Sequence, residues 1–200
     1  MGNNSTIARS NATSLVYYAL SGLNIDLDPL NEHLIQRTGT ALEKEKPIQI
    51  MGQSLVKNYL HIVFSTKHRE PLIYPPVETE LHAYLGGICN NLNCPVITVG
   101  GYTDHVHILC MLSKKIALMK LLEELKAHSS KWVKTKGVGY ENFYWQDGYG
   151  AFSVNPSEVD KVIAYIANQH QHHSQKSFQD EYRAFLKKYD VEYDEKYVWD

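Results

Sequence analysis

No stretch of this 200-residue chain reaches the roughly 18 to 20 uninterrupted apolar residues that a membrane-spanning helix needs, so no membrane partner is expected. The first residues lack the basic start, apolar block and cleavage site of a secretory signal. Cysteine is scarce: Cys89, Cys94 and Cys110 are odd in number and show no C-x-x-C spacing. That excludes a disulfide scaffold and fits free thiols in a reducing cytoplasm, the expected location. Basic excess is missing too, with 20 Lys and Arg against 22 Asp and Glu for a net charge of −2. A nonspecific nucleic-acid binder that works by bulk charge is therefore out.

What remains is the composition of an ordinary globular protein, 44% hydrophobic and 21% charged, long enough for one good core. Residues 1–50 stand apart, with Ser, Thr and Asn at the start and Glu43-Lys44-Glu45-Lys46-Pro47 at the end. A helix from Ser14 to Leu34 would have no clear apolar face, so 1–50 reads as an extension, poorly packed or partly helical. Subtracting it leaves 16 basic and 17 acidic residues, so any nucleic-acid surface must be local. Candidates are Lys67, His68 and Arg69, then Lys114 and Lys115, then Lys126, Lys131, Lys134 and Lys136. For any one of them a solvated surface charge is the simpler reading. The acidic excess gathers after Asp180.

Residues 51–200 read as strand, helix, strand, strand, helix, strand, helix. Leu55–Ser65 is rich in β-branched and aromatic residues, and Pro75-Pro76 opens a helix through about Asn93 with Leu81, Leu85, Ile88 and Leu92 on one stripe. Pro95–Gly100 and His105–Leu112 form a hairpin pair. Ile116–Lys134 carries leucines at helical spacing, Tyr144–Val154 reads as a strand, and Pro156 opens a helix with Val159, Val162, Ile163 and Ile166. The order predicts an α+β fold, an antiparallel sheet with helices packed mainly on one face.

Chemistry concentrates in two places. In Asp104-His105-Val106-His107 the alternation of a strand puts both imidazoles on one face, spaced to share a metal ion. Val106, Ile108 and Cys110 face the other way and suit a core. Downstream, Tyr165 and Gln169 lie four apart and share one face of a helix. Laid across the histidines, that helix would bring a phenol and an amide oxygen to the ion. Two imidazoles and an amide suit manganese, cobalt, nickel or zinc, and magnesium can serve once water and phosphate complete its shell. Asp104 is placed to orient an imidazole. His173 shares the Tyr165 face, although His170, His172 and His173 read more simply as a polar helix end that favours the C-terminal dipole. His61 reads as a satisfied core histidine, and Tyr144, Trp145, Tyr149 and Phe152 as core aromatics or platforms for unpaired bases.

Together these segments resemble the single-tyrosine transposases of small bacterial insertion sequences, the IS200-like family with its REP-associated relatives. Their hallmark is two histidines flanking a hydrophobic residue. The likeness covers nearly all of 51–200. Tyr59–Arg69 is similar to the family's first strand and basic turn, and Gly100–His107 to the hairpin into its histidine strand. Phe143–Val154 is similar to the segment before its tyrosine helix. The resemblance implies a ferredoxin-like (RRM-like) HUH endonuclease fold. It implies Tyr165 as the nucleophile that forms a 5′-phosphotyrosine link on single-stranded DNA at hairpin-marked element ends. It further implies His105, His107 and Gln169 as ligands of a divalent ion, magnesium or manganese, and a homodimer whose active sites are shared between subunits. DNA contacts are expected from Lys67, Arg69 and Lys131. Two other readings stay open: a domesticated relative that binds nucleic acid without cutting, and an unrelated metallohydrolase using the histidine pair and water.

Overall fold

Ile62, Val63 and Phe64 are the kind of β-branched and aromatic run that packs well on a pleated surface, and they centre strand β1 (Tyr59–Ser65). The structure, a computed structural model, describes residues 53–173 and 177–199. The expectations for residues 1–50 fall outside them. After β1 come helix α1 (Val77–Asn91), strands β2 (Val96–Tyr102) and β3 (His105–Met111), helix α2 (Leu118–Lys134) and strand β4 (Gly150–Val154). Three shorter helices follow: α3 (Val159–Ala167), α4 (Gln169–His173) and α5 (Phe178–Lys188).

The strands form one antiparallel sheet in the order β2-β3-β1-β4, the ferredoxin-like arrangement that the family resemblance implied. Alternation divides its two faces. Leu60, Ile62, Phe64, Val106, Ile108 and Cys110 point to one side, where Leu81 and Leu85 of α1 and Leu121, Leu122 and Leu125 of α2 complete the main core. Each fully buried leucine of this kind contributes about 1.5–3 kcal/mol relative to exposure.

His61, Val63, His105, His107 and Leu109 point to the other side, as the pairing of His61 with Leu109, Val63 with His107 and Ser65 with His105 requires. The long helices occupy the first face alone. The three short ones cover the histidine face: Ile166 packs with Leu109 and Val154, and Phe178, Tyr182 and Leu186 pack with Val63 and Phe152.

Two glycines permit that close cover. A Cβ on Gly100 would lie 2.8 Å from the carbonyl oxygen of Ile166, so glycine lets α3 rest directly on β2. A Cβ on Gly150 would lie 2.8 Å from the ring of Tyr182, which brings α5 onto β4 in the same way.

Two element boundaries differ from the sequence expectation. Leu55 and Val56 are exposed, and β1 starts only at Tyr59, where its partners on β3 and β4 begin. Tyr144–Tyr149 does not run as strand. Only Trp145 makes an isolated bridge, to Thr66, because Lys126 Nζ donates to the carbonyls of Gln146, Asp147 and Gly148 at 2.7–3.0 Å and holds them in a bend.

Candidate active site

The two histidines of β3 are fully buried on the face covered by α3, α4 and α5. His105 Nδ1 lies 2.7 Å from the Asp104 carboxylate, which holds the ring with Nε2 turned inward. His107 Nδ1 lies 2.9 Å from His61 Nε2, so this imidazole is oriented from the neighbouring strand. Two imidazoles whose outer nitrogens are engaged leave their Nε2 atoms for a common ligand.

Helix α5 supplies a partner that the sequence reading did not single out. Glu181 is buried, with its carboxylate oxygens 3.9 Å from both His105 Nε2 and His107 Nε2. One donor atom from each of the three lies within 4.8 Å of the others. Glu181 sits in the first turn of α5, where the helix dipole favours an acid. That turn is fixed by Ser177 Oγ, which accepts from the Asp180 amide at 3.2 Å. Counting Glu181 among the acidic residues after Asp180 hid it. The available signal was phase: Phe178, Tyr182 and Phe185 form the apolar stripe of α5, and Glu181 falls within it.

Gln169 also reaches the cluster, by a route other than a continuous helix. α3 ends at Ala167, and Asn168 leaves helical geometry at φ −100° and ψ 16°, with its side chain donating to Ala164 O at 2.8 Å. α4 then starts at Gln169, whose Oε1 lies 3.3 Å from His105 Nε2 and whose Nε2 donates to Glu181 at 3.2 Å. His173, expected as part of a polar helix end, lies inside the cluster, 3.0 Å from both Gln169 Oε1 and Glu181 Oε2.

Tyr165 stands against the same group. Its ring centroid is 5.7 Å from that of His107 and 5.6 Å from that of Phe185, both edge-on. Its hydroxyl is buried and has no hydrogen-bond partner among the described residues. Tyr165 and His107 thus meet within one chain.

Burial sets the charges. It pushes His107 well below the usual imidazole range, with the neighbouring histidines adding to the effect. Burial and then Lys188 lower His61 to about 4. Burial, reinforced by Asp104, raises the Glu181 carboxyl to about 8. Neutral imidazoles are the form that binds metal. A pocket that suppresses ionisation while holding two imidazoles, an amide oxygen and a carboxyl within a few ångströms fits a divalent cation, which would restore the carboxylate charge.

The expected DNA-contact residues lie apart from this cluster. Lys67 and Arg69 belong to a short 3-10 turn, Lys67–Arg69, where His68 and Arg69 both take positive φ, near 55°. The Lys67 amide donates to Tyr144 O at 2.7 Å, and the Arg69 guanidinium lies 5.7 Å above the Trp199 ring. Lys131 lines a separate groove beside α2. Lys126, also a sequence candidate, is used to tie the 146–148 loop.

A model of the family described as "Transposase IS200 like" matches residues 54–169, more than half of the chain. The chain belongs to the IS200-like transposase family. Both histidines, Tyr165 and Gln169 lie inside the matched span, and Glu181 lies beyond it. Among solved structures, the chain is similar to a protein of Deinococcus radiodurans R1 described as a transposase, at 20% identity over 60% of this chain and 96% of that one, with a TM-score of 0.48. It is also similar to a REP-associated tyrosine transposase bound to a REP hairpin, at 13% identity over 62% of this chain and 73% of that one, with a TM-score of 0.47. A search of curated proteins gives no match. Among the described residues of this transposase-family chain no helix is long and apolar enough to cross a membrane.

Proposed function

We propose that this member of the IS200-like transposase family is a metal-dependent strand transferase that cuts and rejoins single-stranded DNA at hairpin-marked element ends, with Tyr165 as nucleophile. The observation that carries this reading is the buried, unpartnered Tyr165 hydroxyl beside His107, next to a ready-made set of metal donors. A buried polar atom without a partner costs stability, and such atoms collect where chemistry needs them.

His105, His107, Gln169 and Glu181 would hold the ion, magnesium or manganese. A divalent cation there supplies charge stabilisation to the scissile phosphate. Tyr165 Oη forms a bond to phosphorus and gives up its proton, the bond from phosphorus to the 3′ oxygen breaks, and that oxygen takes a proton to leave as a 3′-hydroxyl. Reversal with a different 3′-hydroxyl rejoins strands without a nucleotide cofactor, because the phosphotyrosine keeps the bond energy. His61 and Asp104 keep the two imidazoles aimed. α5 lies over the cluster, and a cavity lined by Tyr165, His172, Glu181, Ala184, Phe185 and Lys188 offers the phosphate a way to the tyrosine.

The Tyr165–His107 contact within one chain favours a site assembled in cis, whereas the family resemblance implies a dimer with shared sites. The metallohydrolase alternative makes Tyr165 dispensable, and the domesticated binder makes it idle. A covalent-adduct assay separates them. Protein, manganese and labelled hairpin DNA from the flanking genome are run on a denaturing gel beside Tyr165→Phe and a chelator control. A metal-dependent shifted band that the substitution abolishes supports the proposal. Cleavage without a band points to the hydrolase, and binding alone to the domesticated relative.

A further inference from the structure

Phe143, Tyr144 and Trp145 are consecutive aromatics with opposite fates. Phe143 and Trp145 are buried in the main core, whereas Tyr144 between them is 55% exposed. Their loop is anchored on every side. Trp145 Nε1 donates to Ser129 Oγ at 2.9 Å, Ser130 Oγ to Phe143 O at 3.0 Å, and the Gln146 amide to Ser65 O at 3.0 Å. Lys126 fixes the next three carbonyls. An exposed ring on so rigid a base loses little freedom when something stacks on it.

Tyr144 forms one wall of a groove with Lys131, Ser130 and Lys134 of α2, and Asp147 supplies its single carboxylate. Lys134 Nζ stands 3.4 Å from the Tyr144 ring centroid, so aromatic and cation already act as a pair. In a chain of net charge −2 this is a local basic and aromatic surface of the kind that bulk composition hides.

The groove is tied to the catalytic cluster through the backbone. Trp145 bridges Thr66, Ser65 pairs with His105, and the Thr66 amide donates to the carbonyl of Asp104, whose carboxylate holds His105. Two strand spacings, about 10 Å, separate Trp145 from His105 by this path.

We infer that the Tyr144–Lys131–Lys134 groove is a single-stranded DNA subsite that stacks an unpaired base on Tyr144 and neutralises the adjoining phosphates with the two lysines, on the α2 side of the sheet. This rests on the reading of the protein as a single-strand DNA transferase. The stacking face is sequence-tolerant, since every base offers a π-face. Specificity in the groove is for unpaired over duplex DNA.

The test uses the full chain and fluorescein-labelled oligothymidylate in an anisotropy titration, with duplex DNA and oligouridylate as comparisons. Tyr144→Ala is expected to weaken single-strand binding roughly tenfold, while Tyr144→Phe stays near wild type. Lys131→Ala and Lys134→Ala are each expected to lower the slope of log affinity against log salt by about one. Thermal melts confirm folding, since all three side chains sit at the surface. Unchanged affinity and slope in these variants overturn the subsite, as does a wild-type protein that prefers duplex DNA or oligouridylate. Adduct formation on hairpin DNA is scored separately, so a failed groove leaves the transferase reading standing and a failed transferase is seen as loss of the adduct.

Discussion

His61 Nε2 lies 2.9 Å from His107 Nδ1 across the β1–β3 pair, both rings being buried. With His61 held near 4 by burial, both imidazoles are neutral at physiological pH and share one proton along that contact. The metal-binding arrangement is the one in which His107 donates from Nδ1 and keeps a lone pair at Nε2, facing Glu181. His61→Phe fills the same space without the bond. Manganese affinity, measured by calorimetry, is expected to fall roughly 10- to 100-fold with the fold retained. Unchanged affinity would reduce His61 to packing.

The Tyr165 hydroxyl is buried without a partner, so its removal separates stability from activity. Tyr165→Phe is expected to raise stability by up to about 1 kcal/mol, because an unsatisfied polar group is lost and the ring contacts stay. The same variant should bind DNA and form no adduct. A clear drop in melting temperature would mean that the hydroxyl has a structural partner.

Gly100 lets β2 and α3 approach closely, since a Cβ there would lie 2.8 Å from the Ile166 carbonyl oxygen. Gly100→Ala would drive a methyl group into the Ile166 backbone and displace the helix that carries Tyr165. The expected result is a loss of about 1–3 kcal/mol in a melt, with adduct yield falling further than DNA affinity. Equal losses in both would show that the displacement is not felt at Tyr165.

Mixing two inactive variants distinguishes a site built in one chain from one shared between subunits. Tyr165→Phe and His105→Ala are refolded together and assayed for adduct. The Tyr165–His107 contact leads to the expectation that the mixture stays inactive. Recovered cleavage would mean that the tyrosine helix serves a partner subunit, as the family resemblance implies.

The sheet, its hairpin and both long helices were legible because each rests on a simple period: alternation in His105–Met111, and leucines three and four apart in Leu118–Lys134. The histidine pair was legible for the same reason. Less accessible were features that depend on contacts distant in sequence. Glu181 draws its meaning from His105 and His107, more than seventy positions away, and by composition it merged with an acidic tail. Tyr165 and Gln169 were expected on one helix face. They do reach one site, through a break at Asn168, whose side chain and backbone N–H both donate to Ala164 O. Tyr144–Gly148 was read as strand from its aromatics, and only the three-carbonyl hold of Lys126 explains why it bends.

The most direct test is mass spectrometry of the protein after reaction with manganese and hairpin DNA, followed by nuclease and trypsin digestion. The expected result is a nucleotide joined through its 5′-phosphate to Tyr165, absent when a chelator is present. Cleaved DNA with an unmodified Tyr165, or a nucleotide on another residue, would contradict the assignment of Tyr165 as the nucleophile.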